Sequence, residues 1–341
     1  MDSSARFYIV RDGILRQDLE LYAVESPKIT MESSAVIKTA LSGSFRAMEG
    51  VDLAKDHIGV QLRQDGEFQN CGEFVVTTCR EEWDSSKRHL WNIESYDLGY
   101  LVKRNRREER MSVEKGSSYM ELIHNLLSQC GIIKIIADPC NDVLQTDRDW
   151  ELGTGTLDIV NELLKEIAFD SLWFDADGNA RIQRHRSILD ARVDHVYQKG
   201  QGSIVHQECS SSWDIFSASN VFVAMVNSPD YEESLIAKAV NDERNSEVST
   251  VNIGRIMAQP IRLDNIASER ALQDYVDRVK EESMLSTETI TFSTAKRIHG
   301  IGDIVALKLD GIDGIYQETG WTMELSYDGQ MKHTAKRVMY V

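Results

Sequence analysis

The sequence predicts an α+β protein: two similar small β-barrel-like domains in one chain, with an α+β domain inserted between them. Three observations carry this expectation. The 341 residues suffice for two or three cores, since single domains usually span about 100–200 residues. A short β motif near the N-terminus recurs near the C-terminus. Between the two copies the hydrophobic period changes from that of strands to that of helices, and then changes back.

The first copy reads Asp56-His57-Ile58-Gly59-Val60-Gln61-Leu62, a turn at Asp65-Gly66, then Cys71-Gly72-Glu73-Phe74-Val75-Val76. The second reads Asp303-Ile304-Val305-Ala306-Leu307-Lys308-Leu309, a turn at Asp310-Gly311, then Thr319-Gly320-Trp321-Thr322-Met323. Each is an alternating strand, an Asp-Gly reversal, and a Gly just before an aromatic that opens the next strand. Such a duplication points to a chain that supplies two equivalent walls.

In chain order, residues 1–104 form the first β-domain. Phe7–Val10 and Ile14-Leu15 flank Asp12-Gly13, a pair suited to the positive φ values of tight hairpins. Val36–Leu41 and Ser44–Ala47 flank an expected turn at Ser42-Gly43. The first motif copy comes next, then the strand through Cys79, the strand Leu90–Tyr96, and a short helix over Asp97–Leu101. Lys103–Arg110 mixes both charges without aromatics and reads as a solvated linker.

Residues 105–203 form the middle domain. Ser117 or Ser118 caps a helix with Met120, Ile123, Leu126 and Leu127 at helical spacing, ending at Gly131. Ile132–Ile136 is a short strand, and Thr154 or Thr156 opens a second helix with Leu157, Val160, Leu163, Leu164 and Ile167 on one stripe. A hairpin comes after it, Ser171–Phe174 and Ala180–Ile182 about Asp175–Asn179. Residues 204–260 and 286–341 form the second β-domain. The helix within 261–285, capped at Ser268, packs with the middle domain through Ala271, Leu272, Tyr275, Val276 and Val279.

Composition narrows the function. The net charge of −17 argues against a general duplex-DNA binder, which needs clustered Lys and Arg. No apolar run approaches the roughly 20 residues that span a bilayer, and Met1–Arg6 has no signal-peptide pattern. Cys71, Cys79, Cys130, Cys140 and Cys209 form no CxxC pair, so neither a disulfide framework nor a zinc ribbon is indicated. They read as buried reduced thiols.

The motifs with chemical potential fail on spacing. Gly153-Thr154-Gly155-Thr156 lacks the Gly-Lys-Ser/Thr end of a P-loop and reads as a helix-opening turn. Asp175-x-Asp177-Gly178 places its Gly too early for a calcium loop. Glu121-x-x-His124 lacks the second Glu-x-x-His of a di-iron bundle, and Ser112-x-x-Lys115 lacks the other β-lactamase elements. No catalytic, cofactor-binding or metal residue is assigned, no cofactor is expected, and the chain reads as a non-enzyme. A cell-wall hydrolase would require a motif that is missing. A carbohydrate-binding role would use exposed aromatics among Trp83, Trp91, Trp213 and Trp321, most of which sit at strand ends as expected core residues.

The blocks, in order, resemble the baseplate-hub and tail-tip hub proteins of phage tails and tail-derived contractile particles. Ile37, Gly43, Phe45, Asp56-His57-Ile58 and Gly72-Glu73-Phe74 look like the first hub β-domain. Gly116 through Gly131, Trp150, Thr156-Leu157-Asp158, Leu163-Leu164 and Leu172–Asp175 with Gly178 look like the middle domain. Asn220–Val223, Gly302–Val305, Gly320 and Gly329-x-Met331 look like the second. The resemblance implies a homotrimer whose six β-domains form a pseudo-hexameric ring, joining a six-fold tail tube or distal tail ring to a three-fold central spike or tip. It further implies contact with a tape-measure protein, a lumen that passes DNA without specific binding, no membrane insertion, and a place in the virion tail after assembly in the host bacterial cytoplasm.

Overall fold

The computed structural model describes residues 5–83, 88–188, 192–200, 203–214, 219–226, 234–244, 246–285, 288–309 and 311–338. The first strands are β1 (Ala5–Arg11), β2 (Ile14–Leu21), β3 (Lys28–Glu32), β4 (Thr39–Arg46), β5 (His57–Gln64), β6 (Glu67–Trp83) and β7 (His89–Asp97). Asp12 and Gly13 have φ of 53° and 73°, and Asp65 and Gly66 have 52° and 95°. Two consecutive positive φ values give the reversal that matches strand twist, so both Asp-Gly pairs close hairpins as expected.

The Ser42-Gly43 turn does not form. Both residues lie inside β4, where Gly43 pairs with Ile93. A Cβ on Gly43 would sit 2.8 Å from the Pro27 Cβ, so the glycine serves a close approach within a strand rather than a reversal.

The middle of the chain holds α1 (Gly99–Arg104), β8 (Met111–Val113), α2 (Tyr119–Gln129), β9 (Ile135–Ala137), β10 (Arg148–Trp150), α3 (Thr156–Glu166), β11 (Trp173–Phe174) and β12 (Ala180–Ile182). Ser118 caps α2 by accepting from the Glu121 N–H, satisfying a donor that the helix leaves open. The residue before α3 is Gly155 rather than a threonine. Thr156, its first residue, is buried and its Oγ1 donates to Asn105 Oδ1 at 2.5 Å. The 103–110 stretch is largely solvent-exposed, as expected, and is also held in place. Lys103 and Arg104 end α1, Arg107 exchanges backbone bonds with Gly153 and Thr154, and Arg110 pairs with Asp149. A buried cation, Arg148, meets Glu162 and Glu166, and Tyr119 Oη donates to Glu166 at 2.7 Å.

Next come β13 (His195–Gln198), β14 (Val205–Trp213), β15 (Val221–Val226), β16 (Leu235–Val240), α4 (Thr250–Ile253), β17 (Ala258–Leu263) and α5 (Glu269–Met284). Ser268 caps α5 through the Ala271 N–H, as expected. The run 204–260 is not one β-domain. β15, β16 and β17 form their own three-stranded sheet, and Phe222, Ala224 and Val226 share a core with α2, α3 and α5. The physical reason is the apolar stripe of α5, whose Leu272 and Val276 are fully buried and need this sheet as cover. The chain closes with β18 (Glu288–Ala295), β19 (Ile304–Leu309), β20 (Ile312–Glu324) and β21 (Gln330–Arg337).

One 13-stranded sheet runs β14-β18-β21-β20-β3-β4-β7-β6-β5-β1-β2, with β19 on β20 and β13 on β19. The two ends of the chain therefore share a sheet, and the helices sit apart from it over a second core. Among the described residues no helix is long and apolar enough to cross a membrane.

Candidate assembly surface and a buried histidine cluster

The large sheet contains one strand arrangement twice. In the first unit the neighbours run β5-β6-β7-β4-β3, and in the second they run β19-β20-β21-β18-β14. These are corresponding strands in chain order, with β15, β16, β17 and α5 inserted between β14 and β18. The outermost strand differs: β1 is antiparallel to β5, whereas β13 is parallel to β19.

Pairing register aligns the copies residue by residue. His57 faces Val75 and Ile304 faces Gln317. Phe74 faces Asp97 and Tyr316 faces Arg337. Both second hairpins then bulge at the same place, between Val76 and Thr78 and between Glu318 and Gly320. The extra residue is a threonine each time, and its hydroxyl donates to the opposing strand: Thr77 to the Glu94 carbonyl at 3.0 Å, Thr319 to the Thr334 carbonyl at 3.2 Å. Such a bulge bends a strand and re-aims the residues beyond it. The alignment corrects the sequence motif. The partner of Gly72 is Gly314 rather than Gly320, for Gly72 faces Val60 and Gly314 faces Leu307. A Cβ on Gly72 would meet the Phe74 ring at 2.6 Å, and one on Gly314 the Tyr316 ring at 3.1 Å. Each glycine makes room for the aromatic two residues on.

The units are joined edge to edge. Beyond the bulge β20 leaves β19 and pairs with β3: Gly320 with Glu32, Trp321 with Met31, Thr322 with Thr30, Met323 with Ile29 and Glu324 with Lys28. Ile29, Met31, Trp321 and Met323 are buried in this joint. The same two surfaces on the opposite units have no strand against them among the described residues. β6 pairs with β5 only as far as Val75, and β14 pairs with β18 alone. Thr78–Glu81 and Ser210–Asp214 are exposed. Trp83 is 65% exposed and Trp213 60%. Trp91 and Trp321 are buried, as the strand-end reading expected, so the exposed tryptophans lie at the two open edges.

A polar cluster lies inside the second unit. Glu318 Oε2 is 2.7 Å from His299 Nδ1, and its Oε1 is 2.5 Å from His333 Nδ1. Tyr197 Oη is 2.6 Å from His299 Nε2, and Thr294 Oγ1 is 2.8 Å from His333 Nε2. His195 stacks on His299 at 3.8 Å and bonds Asp303 at 3.0 Å. Burial pushes both His299 and His333 below the ordinary imidazole pKa, because the charged form loses its water. Burial likewise raises Glu318 above the usual carboxylate range, against the hydrogen bond from His333. His195, His299 and Asp303, and again His299, Glu318 and His333, bring ligand atoms within 4.8 Å of one another. Both ring nitrogens of His299 and His333 already face protein partners at hydrogen-bond distance, so a cation would enter only by breaking that network. In the first unit Val76 and Ile93 hold the positions of Glu318 and His333.

Among solved structures, the chain is similar to a tail protein from Neisseria meningitidis, with 13% identity and a TM-score of 0.69, over 98% of this chain and 97% of that one. It is similar to the 43 kDa tail protein of prophage MuSo2 from Shewanella oneidensis, with 12% identity and a TM-score of 0.65, over 98% of each chain. A third match is an E. coli component of the type VI secretion system with structural similarity to T4 bacteriophage tail proteins gp27 and gp5. There the identity is 10% and the TM-score 0.56, over 94% of this chain and 74% of that one. The chain has the fold of phage tail proteins. No protein-family model matches the sequence, and no curated protein matches it.

Within the tail-protein fold the motifs set aside by spacing take structural places. Asp175 Oδ1 accepts from the backbone N–H groups of Asp177 and Asn179, closing the β11–β12 turn. Ser112 bonds Asp149 across the β8–β10 pair, and Gly155 opens α3. Glu121 and His124 lie on the exposed side of α2. The buried-thiol expectation holds for Cys71, whose pKa burial pushes up to about 12, while Cys79 is exposed and the other three are half-buried.

Proposed function

We propose that this chain is a structural hub of the baseplate or tail tip in a phage tail or phage-tail-like particle. Three copies form a ring of six β units around a channel, joining a six-fold tail tube or distal tail ring above to a three-fold spike or tip below. The observation that supports this reading best is the internal duplication. Two units with one strand order, already joined edge to edge, give a chain that can meet six-fold symmetry with three copies. The likeness to tail proteins along almost the whole chain agrees with it. A net charge of −17 suits a lumen through which DNA or a tape-measure protein passes without sticking. In this reading the role is architectural.

Light scattering on the purified chain, with averaged electron-microscope images of the ring, tests the proposal. A mass of three chains and a ring with three-fold symmetry and six similar lobes are expected. A chain that stays monomeric at every concentration, or a ring of another order, would overturn it.

A further inference from the structure

We infer that the open edge of β14 in one copy pairs antiparallel with the open half of β6 in the next, in the register of the joint that links the two units inside each chain. Only the number of copies rests on the ring reading; the pairing rests on the edges themselves. Transferring the β20–β3 register through the alignment above sets Thr78 against Asp214, Cys79 against Trp213, Arg80 against Ser212, Glu81 against Ser211 and Glu82 against Ser210.

Five observations favour a second copy as the occupant. Both edges offer backbone N–H and C=O groups along their outer sides, the template that β-augmentation uses. Every position aligned with a buried residue of the internal joint is exposed here: Ser211 and Trp213 stand where Ile29 and Met31 are buried, and Cys79 and Glu81 stand where Trp321 and Met323 are buried. The large side chain also changes sides. Inside the chain Trp321 of β20 meets Met31 of β3; between chains Trp213 of β14 meets Cys79 of β6, so one bulky residue again faces a smaller one. Trp83 stands where Leu325 is only 4% exposed, and exposed tryptophan at an edge is the residue type that anchors interfaces. The charges are compatible, since Arg80, Glu81 and Glu82 face three serines and no like charge opposes another. The contact is head-to-tail, the kind that closes into a ring when its rotation allows.

Cross-linking of the full chain tests the register. In the internal joint the Ser33 N–H donates to the Thr319 carbonyl and the Leu325 N–H to the Pro27 carbonyl. These bonds make Thr322 and Thr30 a non-hydrogen-bonded pair, whose Cα atoms lie about 4.5 Å apart, inside the disulfide range. Their counterparts are Arg80 and Ser212. With Cys79→Ser as background, Arg80→Cys combined with Ser212→Cys should give, on mild oxidation, disulfide-linked chains in a ladder that stops at three. Either cysteine alone should give none. A trimer by light scattering in which this pair does not link, or in which Arg80→Cys links better to Ser210→Cys, would overturn the pairing while leaving the three-copy ring standing. A chain monomeric at every concentration would overturn both. As a second variant, Ser211→Pro removes the outward N–H that corresponds to Ile29. An unchanged circular dichroism spectrum with loss of the trimer supports the inference, and a folded variant that still forms trimers refutes it.

Discussion

Lowering the pH from 7.5 to 5.5 should weaken the second β unit through His299, His333 and Glu318. The side chains of all three have no solvent exposure. Burial holds both imidazoles neutral in the folded chain, below the value of about 6.5 they take when unfolded. The unfolded chain therefore binds protons that the folded chain refuses. The stability this represents is complete above pH ~6.5 and is lost as the pH falls below it. At pH 5.5, one unit below the unfolded value, His299, which burial pushes down to about 3, costs about 1.4 kcal/mol, and His333 adds to the loss in the same sense. Glu318 works in the opposite sense: its raised pKa lets the folded chain take up a proton before the unfolded one does, returning part of the loss at lower pH. Even the His299 share alone is an appreciable fraction of a domain stability of about 5–15 kcal/mol. Urea denaturation at pH 7.5, 6.5 and 5.5, followed by tryptophan fluorescence, measures it. The comparison is the double variant Glu318→Val with His333→Ile, which installs the residues that the first unit carries. It should show a smaller acid loss, because only one depressed histidine remains. A wild-type stability flat across this range, or an acid loss unchanged in the double variant, would refute the reasoning.

Other perturbations have equally direct readouts. Arg148→Met leaves Glu166 buried beside Tyr119 without its cation, and should cost about 3–5 kcal/mol in chemical denaturation; adding Glu166→Met should restore much of that. Leu163→Ala empties a fully buried position on α3 and should cost about 2–5 kcal/mol, read as a lower thermal midpoint. A Cβ on Gly329 would sit 2.2 Å from the Glu324 carbonyl oxygen. Gly329→Ala must therefore move the backbone of the last hairpin, with a loss of about 1–3 kcal/mol in chemical denaturation.

Local chemistry was readable in advance, and pairing was not. Asp12-Gly13 and Asp65-Gly66 announce their hairpins because few other pairs tolerate two positive φ values. Ser118 and Ser268 announce their helices because a side-chain oxygen there satisfies an open N–H. Gly43 misled because close approach to Pro27 is a tertiary fact. The strand Val221–Val226 looks like its neighbours in sequence, and its sheet is decided by α5, far along the chain. The duplication was visible as texture, yet it was anchored on Gly320, since register comes from hydrogen bonding across strands rather than from residue identity. The histidine cluster left no local trace: His299, Glu318 and His333 are 19 and 15 residues apart and meet only once three segments are folded together.

The long strand β20 has a mechanical consequence. It is hydrogen-bonded along its first half to β19 and along its second half to β3, and Trp321, Met323 and Met331 are sunk into the hydrophobic core of the N-terminal unit. Torque on one unit reaches the other by shearing a five-pair ladder rather than by flexing a linker. Shear loads many hydrogen bonds at once, whereas peeling loads them singly, so the two units should turn together as one stiff plate.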